Sequence, residues 1–213
     1  MGEPEQCLVV PRKALFGYND EHTFSGFKTQ EQVGFDLEQI LQKHASFGWR
    51  KTPKGEYDVE YDASFKHFNP SGVFVYDNKI FTYTRIGGEP RLVGRNDILI
   101  SGHVNPGDKH DSYHQTFLET LYREFQEEMD YPSHIWVDKR PFGYVNHESP
   151  ALVDKVHFGI VYLIPGVSPQ IDVKEKSIMA GSLKTIEEIE SLERPLESWS
   201  KCVFDEVKKY LRK

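Results

Sequence analysis

Apolar positions along this chain recur at two spacings, and the switches between them outline its elements. Cys7, Leu8, Val9 and Val10 form a short apolar run closed by Pro11, which reads as a strand. Over 30–44 the spacing becomes helical, through Val33, Leu37, Ile40 and Leu41. The stretch 72–83 is rich in β-branched and aromatic residues on both sides of Asp77-Asn78, the pattern of a hairpin. A short strand over 97–100 follows. Leu118, Leu121, Tyr122, Phe125 and Met129 then step at threes and fours, predicting a helix with one apolar stripe. Thr116 with Glu119 has capping-box form and Pro132 is a stop signal, so the helix is expected to run about four turns between them. Further on, 135–137 and 156–164 read as strands, the second apolar enough to be central in a sheet. Thr185 with Glu188 repeats the capping box, and Leu196, Trp199, Val203, Val207 and Leu211 mark a final amphipathic helix. Interleaved strands and helices predict an α/β fold with a mixed sheet between helical layers. No repeat, low-complexity tract or linker divides the 213 residues, which predicts a single domain.

The central helix also carries the chemistry. At ~100° per residue, Glu124, Glu127 and Glu128 fall within a sector of roughly 100° beside the apolar stripe, and Arg123 lies one helical turn before Glu127. Acidic residues on a helix are usually only solvated. Three on one edge repel each other unless a cation or basic side chain compensates them. The loop over 101–108 that precedes the helix contains Gly102 and Gly107, which permit tight turns and could present backbone carbonyls as oxygen ligands.

Gly102, Asp108 and the run Arg123-Glu124-Phe125-Gln126-Glu127-Glu128 resemble the signature of the Nudix hydrolases: Gly, five residues, Glu, seven residues, then Arg-Glu-apolar-any-Glu-Glu-any-Gly. Asp108 stands where the pattern has glutamate, fourteen residues rather than seven separate it from Arg123, and Asp130 replaces the closing glycine. Counting back from Arg123 instead puts Gln115 at the glutamate position. The resemblance implies a Nudix-like mixed sheet sandwiched between helices, with an N-terminal extension over about 1–70, a core over 71–195 and a C-terminal helix over 196–213. It implies Glu124, Glu127 and Glu128 as ligands of Mg2+ or Mn2+, with Ser101 or Gly102 adding a backbone carbonyl. Arg123 would orient the glutamates, while Gly102, His103 and Arg95 would lie on the substrate side. The general base would be Glu124 first, with Glu148 and Glu175 as remote candidates. The implied activity is metal-dependent cleavage of a pyrophosphate in a nucleoside diphosphate derivative or related organic pyrophosphate. The alternative is a Nudix-like ligand-binding or regulatory module without turnover.

Composition narrows the partners. A net charge of -7 disfavours a nucleic-acid polymer but not a small phosphorylated molecule held through a metal. There is no apolar run of membrane length and no secretory leader pattern, so a cytoplasmic protein without a membrane partner is expected. Cys7 and Cys202 are too few for a disulfide framework. His103 reads as a phosphate or water contact or as polar surface; His110 and His114, in the inserted segment, are candidate substrate contacts, while a zinc site there would need further ligands at suitable spacing. Arg85, Arg91 and Arg95 are candidate phosphate forks, and Phe142 and Tyr144 either stack on a base or pack in the core. The N-terminal third is left to cover the site, pack on the sheet or complete a homodimer.

Overall fold

The computed structural model describes residues 3–56, 58–87 and 93–212. The N-terminal part comprises β1 (Glu5–Pro11), α1 (Arg12–Phe16), β2 (Gly26–Lys28), α2 (Gln30–Val33), α3 (Leu37–His44) and β3 (Ser46–Lys51). The middle comprises β4 (Phe65–Tyr76), β5 (Lys79–Arg85), β6 (Asn96–Asp97), β7 (Ile100–Ser101), α4 (Tyr113–Glu128) and β8 (Met129–Asp130). The remainder is β9 (Gly143–Asn146), α5 (Leu152–Val156), β10 (His157–Pro165), β11 (Asp172–Val173), β12 (Met179–Lys184), α6 (Ile186–Glu190) and α7 (Ser198–Leu211).

One mixed sheet organises these elements in the order β12-β5-β4-β10-β9-β2. Its centre is the parallel pair β4 and β10, in register from His157 opposite His67 to Pro165 opposite Val75. The other edge of β4 is shared: β1 pairs with its first residues, β7 with Ser71 and Gly72, and β5 with Val75 and Tyr76. Side chains alternate across the sheet with the period of two that a pleated strand imposes. Phe158, Ile160, Tyr162 and Ile164 of β10 join Leu37 and Leu41 of α3 and Leu121 and Phe125 of α4 in one core layer. Val161 points the other way, with Val145, into the layer formed with Ile189 of α6 and Val203 and Val207 of α7. The sheet is thus enclosed by helices on both faces.

The expected elements recur with instructive differences. Asp77 and Asn78 both adopt positive φ, closing the hairpin with a two-residue turn that follows the twist of its strands. The helix expected over 30–44 is divided at Gly34, which adopts a left-handed conformation, and α3 restarts behind Asp36, whose carboxylate accepts from Gln39 N at 3.0 Å. The main helix begins three residues before Thr116, because Ser112 Oγ caps it by accepting from Gln115 N at 3.1 Å. The residues 135–137 form no strand; Val137 is buried in the core as part of a loop. The expected boundary near residue 70 falls inside β4, and β1 and β2 are strands of the main sheet. Cys7 and Cys202 are free thiols, with burial pushing Cys7 up to about 12.

Gly159 lies on β10 where α7 crosses the sheet. A β-carbon there would stand 2.5 Å from Val145 Cγ1 and 2.7 Å from the Trp199 ring. Gly159→Ala is therefore expected to lower stability by about 1–3 kcal/mol, measured as a shift of the urea midpoint without a change of slope. Gly107→Ala, with open space around it, is expected to stay within about 0.5 kcal/mol.

Candidate functional site

The loop after β7 and the helix α4 meet at one guanidinium. Arg123 donates from Nε and Nη2 to the two oxygens of Asp108, at 2.9 and 2.8 Å, a bidentate fork. Its Nη2 also reaches the His103 carbonyl at 3.0 Å, and Nη1 reaches Glu124 Oε1 at 2.7 Å and Glu127 Oε2 at 3.3 Å. Asp108 is nearly enclosed and also accepts from Thr120 Oγ1 and Asn105 N. Burial works against its charge, but the Arg123 bonds and the Asn105 amide hold its carboxyl below the usual range. Asp108, not the exposed Gln115, is therefore the candidate that meets Arg123. The residues between Asp108 and Arg123 are largely extra helix: the first turns of α4 dock on α3, where Glu38 Oε1 accepts from Tyr113 N at 3.2 Å.

The far end of α4 explains Asp130. Met129 leaves the helix in extended conformation and Asp130 pairs with Asp172 in a small β8–β11 ladder. Glycine suits a left-handed helix end, and this helix has none.

The three glutamates share one edge of α4 but differ in setting. Glu124 lies against Gly102, where an added β-carbon would sit 1.8 Å from its carboxyl carbon, so any larger residue there would displace the Glu124 carboxylate. Burial raises its pKa, against the pull of Arg123. Glu127 is exposed. Glu128 is pushed up to about 7 by burial, with Arg85 opposing and Glu124, Asp97 and Glu127 adding to the rise. Its Oε2 and the Nε of Arg85 are both buried without a hydrogen-bond partner. An all-oxygen donor set with crowded negative charge and a buried partnerless oxygen fits a hard divalent cation. Asp97, on β6, adds a further partly buried carboxyl pushed up to about 6 by desolvation, although Ser200 and Leu99 N bond it. Its only local signal was a place in a short strand before the loop.

Other expected residues are dispersed. Arg95 is exposed on the turn before β6, and Arg91 lies outside the described residues. Glu148 is no free base: Arg12 Nη1, Lys66 Nζ and Asn146 Nδ2 bond its Oε1 at 3.0, 3.2 and 3.0 Å, and it stays below the usual carboxylate range. Glu175 is exposed. His110 is an exposed neighbour of Glu119, while His114 faces a small cavity beside Tyr144 and Tyr162. Tyr144 is a core residue, and Phe142 packs edgewise on Tyr210 and against Phe27. His103 is drawn inward: its ring faces His157, with Nε2 atoms 3.0 Å apart, and lies against His67. Sequence patterning gave no sign of that group, because β4, β10 and the loop come together only in the sheet. A cavity of about 600 Å3 adjoins the opposite side of α4, lined by Tyr122, Met129, Tyr131 and His134 among others, and includes none of the three glutamates.

Fold, loop and helix together have clear counterparts. Protein YmaB of Bacillus subtilis (strain 168) is 30% identical over 208 residues, spanning 94% of this chain and 96% of that protein. The crystal structure of Tm1382, a candidate Nudix hydrolase, superposes with a TM-score of 0.71 at 26% identity, covering 97% of this chain and all of the other. The Nudix domain of Shewanella oneidensis NrtR, crystallised with ADP ribose, shares the fold alone, with a TM-score of 0.51 at 14% identity over 73% of this chain and 94% of that one. No protein-family model matches the chain. With its counterpart Tm1382 matched over 97% of the chain, this chain belongs to the Nudix hydrolase family. Among the described residues no helix is long and apolar enough to cross a membrane.

Two outcomes follow from the charges. Asp108→Asn removes half of a fork whose arginine keeps some solvent access, so a loss of about 2 kcal/mol is expected at pH 7. Because the folded pKa of Asp108 is depressed, its stabilisation is present above the ordinary carboxylate range. The gap between wild type and variant should close as pH falls through the depressed value, which urea melts across pH will show. Glu128 has the opposite sign. Its raised pKa makes the metal-free fold lose roughly 3 kcal/mol as pH rises from about 4.5 to about 7, and Glu128→Gln should flatten that segment of the profile.

Proposed function

We propose that this chain hydrolyses a phosphoanhydride in a nucleoside diphosphate derivative or related organic pyrophosphate, with Glu124, Glu127 and Glu128 as the ligands of Mg2+ or Mn2+. The observation that carries this reading is the crowded carboxylate edge of α4, where Glu128 keeps a buried oxygen without a partner while Arg123 already serves Asp108, Glu124 and Glu127. When bound, the metal supplies neutralisation of phosphate charge and activation of water. Arg123 sets the rotamers of Glu124 and Glu127 and braces the loop through the His103 carbonyl, so it is a positioning residue. Gly102 provides the close approach that lets the loop backbone face Glu124. Glu124 remains the proposed proton acceptor from the attacking water, since Arg123 fixes one of its oxygens and burial raises its pKa above the ordinary value. Arg95, exposed on the turn before β6, is the proposed phosphate contact from the substrate side. His103 is withdrawn from that role by its inward contacts.

A binding module without turnover finds less support, because Asp108 keeps the contacts of an orienting carboxylate and Asp130 stands at an extended helix exit. The substrate lies among compounds with an internal pyrophosphate. ADP-ribose, the ligand of the NrtR domain, belongs in the same panel as nucleotide sugars, dinucleoside polyphosphates, nucleoside triphosphates and coenzyme derivatives.

Release of phosphate or mononucleotide from that panel should require Mg2+ or Mn2+ and fall about a hundredfold or more in Glu127→Gln and Glu128→Gln. Glu175→Gln should leave it unchanged. Hydrolysis at the wild-type rate in both of the first two variants would remove the proposed site.

A further inference from the structure

Three histidines from separate parts of the chain converge beside the carboxylate site. His67 on β4 and His157 on β10 are register partners in the parallel pair, and His103 follows Gly102 on the loop after β7. Their ring centroids form a near-equilateral triangle with sides of 5.8, 5.3 and 5.2 Å. One ligand atom from each lies within 4.8 Å of the others, and among the described residues this is the group that draws His, Cys, Asp or Glu side chains so close.

The hydrogen bonding decides between a stacked polar core and a ligand set. His67 is fully buried, and its Nε2 faces the Val59 carbonyl at 2.9 Å. A carbonyl only accepts, so Nε2 carries the proton and Nδ1 carries the lone pair. That Nδ1 is buried with no hydrogen-bond partner. A carbonyl behind the outer ring nitrogen is also what orients a metal-bound histidine. The Nε2 atoms of His103 and His157 face each other at 3.0 Å. Two nitrogens about 2.0–2.1 Å from a tetrahedral ion stand roughly 3.4 Å apart, so only a small opening of this pair would admit one. Nearby cations do not forbid it, because each is already paired: Arg50 with Glu5 and Glu60, Lys66 with Glu148, and Arg123 with Asp108. His103 and His157 keep partial exposure, unlike His67.

We infer that His67, His103 and His157 form a second metal site, an all-imidazole centre for a borderline dication of the zinc class, distinct from the oxygen site on α4. Imidazole nitrogen favours Zn2+, Co2+ or Ni2+ over Mg2+, so the two sites select different ions by donor type. Three protein ligands leave a fourth position for water or another small ligand. The ion would tie the loop carrying Gly102 to the two central strands, and Arg123 grips that same loop through the His103 carbonyl.

The test uses the full-length chain without an affinity tag, stripped with chelator and titrated with Co2+, then Zn2+. With excess Mg2+ present to fill the oxygen site, one equivalent of Co2+ is expected, with a visible ligand-field spectrum that Zn2+ abolishes and a thermal midpoint raised by either ion. His103→Gln and His157→Gln should each weaken binding more than about tenfold and lose the spectrum and the midpoint shift. Glu127→Gln should retain both while losing hydrolysis, so this site and the catalytic one can fail separately. Circular dichroism and the metal-free urea midpoint establish that each histidine variant is folded. If a histidine variant unfolds, nitrogen hyperfine coupling from histidine to Cu2+ in the wild-type chain decides the same question. Absence of stoichiometric Co2+ binding, binding that persists in folded His103→Gln and His157→Gln, or its loss in Glu127→Gln would overturn the assignment.

Discussion

The site depends on one planar cation in a place where carboxylates outnumber it. Arg123 bonds Asp108 with two nitrogens and still reaches Glu124, Glu127 and the carbonyl of His103. A lysine could not do this, because the guanidinium presents its donors in a fixed fork while an ammonium is a single point of charge. The bond to Asp108 sets the plane of the fork, and the remaining donors then set the glutamates and the loop. Charge balance follows the same logic. Arg123 neutralises the outer part of the cluster and Arg85 opposes the rise at Glu128, yet Glu128 keeps an unpartnered buried oxygen. Such a surplus of negative charge is costly in a protein alone and useful once a cation is bound.

The sheet supplies the rigidity this arrangement needs. The loop between β7 and α4 is held from three directions: Leu8 N of β1 donates to the Val104 carbonyl at 2.9 Å, Ser101 Oγ bonds Ser71 Oγ of β4 at 2.7 Å, and Arg123 grips from the helix. The N-terminal third is therefore part of the site's support, since β1 carries one of these bonds and α3 receives the extra turns of α4. Donor chemistry divides the neighbourhood into two regions. Oxygen from glutamates gathers on the helix edge, and nitrogen from histidines gathers where β4, β10 and the loop meet. Arg123 lies between them, bonded to both the glutamates and the loop that carries His103.

Local periodicity made much of the fold legible in the sequence. The apolar stripe of α4, the Asp77-Asn78 turn, the central strand β10, the capping box at Thr185 and the amphipathic α7 all follow from steps of two, three or four residues, which neighbouring positions determine among themselves. The carboxylate edge was legible for the same reason, because residues 124, 127 and 128 must share a side of any helix that contains them. Tertiary structure alone decided the rest. Asp108 rather than Gln115 meets Arg123 because the loop folds back onto the helix, a matter of approach through space. Asp130 leaves the helix without glycine because Asp172 offers it a strand partner. Glu148 loses its standing as a base because Lys66, Arg12 and Asn146 converge on it from distant segments. The three histidines lie far apart in the chain and become neighbours only through strand pairing and loop closure. Hydrophobic spacing records which way a side chain faces within its own element; ion pairs and ligand sets depend on which elements meet, and that is determined by the packing of the whole sheet.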